Sequence, residues 1–114
     1  MNRFLVLVVL IVLLSVKTYA LDDIKYTIEK NDCVEPYKCS YDIRINSKKD
    51  KDELLEISQE IFDNAPAVEN VFISFYLPCM KIGYGAWANM IFNPLPNDVK
   101  IMEYMLTSNP TCSE

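Results

Sequence analysis

The 114-residue chain contains no histidine, and that limits what its other reactive groups can do. Cys–His and Ser–His–Asp nucleophilic arrangements lose their usual base. Ribonuclease-type acid–base work loses its usual proton carrier, and imidazole-ligated zinc is excluded. What remains is sixteen acids and four cysteines. A glycosidase needs two carboxyl groups about 5 to 9.5 Å apart, and Asp42, Asp50, Asp52, Glu53, Glu56 and Glu60 are the candidates. Most of them fall in an expected helix or on the outward face of an alternating strand, where a solvated charged face is the simpler reading. Asp50-Lys51-Asp52-Glu53 lacks the glycine and distal glutamate of a calcium loop and reads instead as a helix cap. The reading leans away from an enzyme, with no catalytic residue, metal or cofactor assigned.

Cys33, Cys39, Cys79 and Cys112 contain no close C-x₂₋₄-C pair of the kind that grips zinc. An even count in a short exported chain reads as two disulfides, and three pairings are possible. Joining Cys33 to Cys39 and Cys79 to Cys112 closes loops of 7 and 34 residues, worth roughly 2.4 and 3.8 kcal/mol of chain entropy. Joining Cys33 to Cys112 and Cys39 to Cys79 is worth on the order of 4.5 and 3.9 kcal/mol. Pro36, lying between two close cysteines, suits a local turn and favours the first pairing.

One loop asks for more than packing. Pro78 to Trp87 holds both glycines of the chain, Gly83 and Gly85. Gly-x-Gly with no helix after it is a weak anion-binding signal, and a hairpin link with positive-φ glycines accounts for it. Met80, Ile82 and Tyr84 are expected at an exposed apolar tip of the kind that docks on a protein. The candidate binding residues are therefore Met80, Lys81, Ile82, Gly83, Tyr84 and Gly85. Trp87, beside Ala86 and Ala88, is expected in the core.

Residues 1–20 read as a signal peptide. Arg3 supplies a positive start, Phe4 to Val16 is an apolar run, and Ala20 is a small residue at the cleavage position. The run falls short of the ~20 residues that span a bilayer, so membrane attachment is expected only if this segment stays uncleaved. Cleavage leaves residues 21–114 as a single disulfide-stabilised domain. Taking Arg3 and Lys17 from the eleven basic residues leaves nine against sixteen acids, a charge near −7. That opposes binding to a phosphate backbone, and no nucleic-acid partner is expected.

The elements that must position these groups follow from periodicity. Ile24, Tyr26 and Ile28 alternate with polar residues as a half-buried strand does, and Lys30 to Lys38 reads as a polar turn region. Tyr41, Ile43 and Ile45 mark the core face of a strand over residues 40–46. Asp50 and Glu53 form a capping box for a helix over about residues 51–63, with Leu54, Ile57, Ile61 and Ala65 on its apolar stripe, Leu55 and Phe62 widening it, Asn64 as C-cap and Pro66 as the stop. Residues 71–77 form an apolar run that suits a strand covered on both faces, and strands over 86–92 and 99–103 follow. The polar tail from Thr107 is tied down only if Cys112 is bonded. The expected fold is α+β: one helix on a four- or five-stranded, mostly antiparallel sheet, in two layers.

Phe75 to Ala88, FYLPCMKIGYGAWA, followed by Phe92-Asn93-Pro94, resembles a family of small uncharacterised proteins, many of them bacterial. Those share a YLPGM…G-x-GAWA…FNP pattern after a strand like Tyr41–Ile45 and a helix. The resemblance covers about residues 40–102. Cys79 stands where that pattern has glycine, which fits a disulfide added at the loop. The family carries no established activity, so the resemblance implies the order of elements and nothing about chemistry. The expected function is a secreted, non-enzymatic interaction module with an extracellular protein as partner. The alternatives are a small carboxylate-dependent hydrolase and a cystatin-like protease inhibitor, although the Gln-x-Val-x-Gly loop of cystatins is absent.

Overall fold

The computed structural model describes residues 26–112. The expected signal peptide, and Ile24 of the first strand, lie outside them. Five strands form one sheet in chain order: β1 (Tyr26–Val34), β2 (Lys38–Ile45), β3 (Asn70–Tyr76), β4 (Ala88–Phe92) and β5 (Lys100–Ile101). Helix α1 (Lys51–Asn64) connects β2 to β3, and a short helix α2 (Met105–Ser108) follows β5. β2 and β3 are parallel, as a helical crossover requires, and every other neighbouring pair is antiparallel.

The alternation of β2 sorts the sheet into two faces. Cys39, Tyr41, Ile43 and Ile45 are buried, and register places Val71, Ile73 and Phe75 of β3 beside them, with Phe92, Met90 and Ala88 of β4 next in line. α1 lies on this face: Leu54 and Ile61 are buried against it, and the Phe62 ring stacks on Phe92 at 4.4 Å between centroids. The helix begins as its sequence requires. The Asp50 carboxylate accepts from the Glu53 backbone N–H at 2.8 Å, and the Glu53 carboxylate accepts from the Asp50 N–H at 3.2 Å. Such a cap is worth about 1 kcal/mol. The C-cap is Ala65, one residue beyond the expected Asn64, whose side-chain amide donates instead to the Glu60 carbonyl. Ser58, absent from the expected stripe, is fully buried between Leu54 and Ile61, and its hydroxyl has no hydrogen-bond partner.

Four expectations are corrected. The stretch expected as a turn from Lys30 is strand as far as Val34, and the turn is confined to residues 35–37 around a cis Glu35–Pro36 bond. Polar residues are tolerated there because β1 is an edge strand, exposed on nearly every position, with even Ile28 49% exposed. Cys33 lies directly opposite Cys39 and bonds to it. β3 is covered fully on one face only, since Phe72 is exposed on the other. β4 begins at Ala88, and Trp87 just before it is held by single contacts, its N–H donating to the Phe75 carbonyl at 2.9 Å. β5 is two residues rather than five. No helix among the described residues is long and apolar enough to cross a membrane.

Candidate functional site

Because β2 and β3 run in parallel, Ile45 and Tyr76 leave the sheet at one end, where β4 enters at Ala88 and β5 leaves at Ile101. The candidate loop lies here. Arg44 projects from the face opposite α1, next to Tyr76 in the parallel register. One of its terminal nitrogens, Nη1, donates to the carbonyls of Leu77 at 2.8 Å and Met80 at 2.5 Å. Its Nε donates to Glu29 at 2.6 Å. Tyr76, on the same face, accepts from the Gly83 N–H through its hydroxyl at 3.3 Å. The loop therefore folds back over the open face of the sheet, which explains why Tyr76 is buried on a face that leaves Phe72 exposed.

The C-terminal segment holds the loop from the other side. Cys79 is bonded to Cys112. The fully buried Asn109 pairs with both backbone groups of Lys81, accepting from its N–H at 3.0 Å and donating to its carbonyl at 3.2 Å. Asn109 also accepts from the Thr111 N–H at 3.2 Å, and the Thr111 hydroxyl donates to the Cys79 carbonyl. Gly83 and Gly85 both have positive φ, +94° and +102°. A Cβ at Gly83 would meet open space, whereas one at Gly85 would lie 2.8 Å from the Met105 sulfur. At the loop's exit, the Trp87 indole donates to Glu103 at 2.5 Å, and Lys48 pairs with the same carboxylate at 2.5 Å. These two hydrogen bonds hold the Glu103 carboxyl below its ordinary range.

This geometry revises the expected tip. Met80 is not exposed: it is 2% accessible, with the Leu77 N–H directed at its sulfur. Ile82 is half-buried. The outward groups are Lys81 and Tyr84, the latter 54% exposed, and the lysine ammonium sits 4.9 Å from the centre of the tyrosine ring. Gly83 and Gly85 shape the loop with positive φ, and the Gly83 N–H is given to Tyr76 and so is not left for an anion. Trp87 is in the core, as expected, and both disulfides have the favoured pairing.

The candidate carboxylates are not gathered. Asp42 faces away from α1, beside Lys30 and Ser74 in the register, while Asp52, Glu53, Glu56 and Glu60 belong to the helix on the other side. Burial pushes the Asp42 carboxyl up, and the Lys30 charge partly opposes that. Asp50 and Glu53 are occupied with capping. No group of three or more acids and cysteines among the described residues is placed to hold a metal.

The opposite end of the sheet holds a feature that sequence reading missed. Three connections meet there: the β1–β2 turn, the segment from α1 to β3, and the loop after β4, which starts with a cis Asn93–Pro94 bond. They enclose an open cleft with Pro36 on one side, Pro94 on the other and residues 67–70 between. Tyr37 and Leu95, in the turn and the loop that border it, are 61% and 75% exposed. The available signal was the clustering of Pro36, Pro66, Pro94 and Pro96 in separate links, but only the parallel register of β2 and β3 shows that these links share one end. Compared with known protein families, curated proteins and solved structures, the chain has no match in any of the three.

Proposed function

We propose that the protein is a secreted module that acts by non-covalent contact with an extracellular protein, and that Lys81 and Tyr84 at the loop tip are its recognition surface. The observation that carries this reading is the coexistence of an exposed aromatic with a loop fixed from both sides. Tyr84 is more than half exposed, yet the backbone under it is tied by the Cys79–Cys112 bridge, the Arg44 hydrogen bonds and the Asn109 pairing with Lys81. A loop already held in one shape loses little conformational freedom on docking, so more of the contact energy appears as affinity. Tyrosine flanked by a cation is the kind of side chain on which interface energy concentrates. Two disulfides suit an oxidising compartment, which agrees with export by the apolar N-terminal run.

The test places a photo-crosslinking amino acid at position 84 and, as control, at Glu56 on the exposed side of α1. Proteins from the surrounding extracellular fluid are then captured. A specific adduct at position 84 is expected, competed by unlabelled parent protein and not by an unlabelled Ile82→Ala/Tyr84→Ala variant that melts like the parent. Met80 is left intact because it is core. Equal labelling at position 56, or equal competition by the unlabelled double variant, would overturn the proposal.

A further inference from the structure

The geometry points to a second docking site: the cleft at the proline end takes a lysine or arginine side chain that projects from an extended apolar segment of a partner protein. The cleft is shallow and open, and both apolar and polar residues line it. Pro36, Val68 and Pro94 supply the walls, and Glu69, Asn70 and Asn93 the polar groups. Its backbone is committed elsewhere. The Glu69 N–H donates to the Pro36 carbonyl at 3.0 Å, the Asn70 N–H to the Tyr37 carbonyl at 3.1 Å, and the Asn93 N–H to the Leu95 carbonyl at 3.1 Å. The floor is thus fixed to the Pro36 wall, and the β3–β4 ladder ending at Val71 and Phe92 sets the Pro94 side next to it, while the side chains of Glu69, Asn70 and Asn93 make no hydrogen bond or ion pair among the described residues. This contrasts with the loop end, where Arg44, Tyr76, Asn109, Thr111 and Glu103 all have partners.

Charge selects the occupant. Glu69 lies in the cleft and Glu35 directly precedes the wall residue Pro36. Lys38, beside Asn70 across the ladder, pairs with neither acid. An anion would be repelled, and a purely apolar group would strip water from the Glu69 carboxylate without replacing it. A side chain with an apolar stem and a cationic head satisfies both walls and acid, and the two asparagine amides can bond the adjoining peptide groups. The occupant belongs to a protein because exposed apolar side chains adjoin the cleft: Tyr37 and Leu95, next in sequence to Pro36 and Pro94, would cover residues flanking the basic one.

The experiment follows backbone amide shifts of the whole folded protein during titration with the capped tripeptide acetyl-Leu-Arg-Leu-amide. Shifts are expected at residues 67–70, Asn93, Tyr37 and Leu95 at millimolar peptide. Replacing arginine by norleucine should weaken binding roughly tenfold, as should Glu69→Gln in the protein, because each leaves a charged or polar group unpaired. A Tyr37→Ala/Leu95→Ala variant should bind more weakly, and N-acetylarginine amide, which lacks the flanking leucines, should bind at least about tenfold more weakly than the tripeptide. The inference is overturned by an absence of shifts at the cleft, or by equal binding of the norleucine peptide or of Glu69→Gln. Equal binding of N-acetylarginine amide would assign the cleft to small cations and likewise overturn it. Shifts confined to residues 79–85 would overturn it while leaving the loop proposal standing.

Discussion

The two ends of the sheet are each closed by a disulfide, yet they use the bond differently. At the loop end, Cys79–Cys112 joins positions 33 residues apart in sequence and brings a C-terminal segment against a loop. At the proline end, Cys33–Cys39 joins residues only six apart that already face each other across a hairpin. The side chains show the same division. Arg44, Tyr76, Asn109, Thr111 and Glu103 all bond within the loop end, whereas the side chains of Glu69, Asn70 and Asn93 bond to no described residue. One end presents a single tip on a hydrogen-bonded base; the other holds a fixed backbone with side chains not bonded to described residues. Polar groups left free beside a rigid apolar wall are available to a ligand, and polar groups bonded to the chain are available only to the fold.

The sharpest way to break that contrast is to remove each bridge. Cys79→Ala/Cys112→Ala should lower the unfolding free energy by about 3.8 kcal/mol, and Cys33→Ala/Cys39→Ala by about 2.4 kcal/mol, as loop closure predicts. Denaturant titrations give both numbers. Amide exchange gives the more telling result: the first pair should release protection at residues 79–85, and the second should leave those amides untouched. Equal costs with equal patterns of exchange would mean that the two ends are not independently fastened.

The glycines sharpen the comparison within the loop. Gly83→Ala and Gly85→Ala both place a Cβ on a positive-φ residue, which costs roughly 1 to 3 kcal/mol. Only at position 85 does that Cβ also collide with the Met105 sulfur. Gly85→Ala should therefore be the more destabilising by about 1 kcal/mol, part of the clash being relieved by the flexible methionine. Thermal unfolding of the two variants decides it. Equal losses would show that α2 does not press on the loop.

The sheet and helix were legible in the sequence because periodicity reports on burial, and burial on one side is what β2 and α1 experience. The capping box was legible for a similarly local reason: Asp50 and Glu53 satisfy each other over three residues. The errors lie where local pattern and environment part. Lys30, Asn31 and Asp32 look like a turn, but on an edge strand polar side chains cost nothing, and pairing with β2 decides the conformation. The even apolar run of β3 predicts cover on both faces, but its partial cover on the open face comes from a loop whose path depends on Arg44, 33 residues earlier. Met80 read as exposed because nothing local shows that its carbonyl is captured by that arginine and its sulfur turned inward. The proline-end cleft was invisible for the same reason, being assembled from three links distant in sequence.

Ser58 offers a control that should act on neither end in particular. Its hydroxyl is buried without a partner, so Ser58→Ala removes an unsatisfied polar atom while preserving most of the packing. A gain of about 1 kcal/mol is expected, spread over slowly exchanging amides across the sheet. A loss instead would show that the hydroxyl is satisfied in solution by a water molecule.

The smallest expected effect is the pH response of the loop end. Glu103 receives hydrogen bonds from Lys48 and the Trp87 indole, and both favour its ionised form. Its folded value thus lies below the ordinary 4.5. The contribution to stability is complete above that ordinary value and disappears as pH falls through the lowered one. Glu103→Gln keeps an acceptor for the indole but removes the charge that Lys48 pairs with, so the variant should melt slightly below the parent at neutral pH. The gap should narrow below pH 4.5 and close once the parent carboxylate is protonated. Because the difference between the two proteins is measured, titration of the other carboxylates cancels. Emission from the single tryptophan should report the same transition, since the indole loses a charged acceptor in acid, and amides around the proline-end cleft should not follow it. A gap that stays constant through the acid range would mean that Glu103 holds Trp87 by shape and not by charge, leaving the loop end fastened by its bridge and by neutral hydrogen bonds.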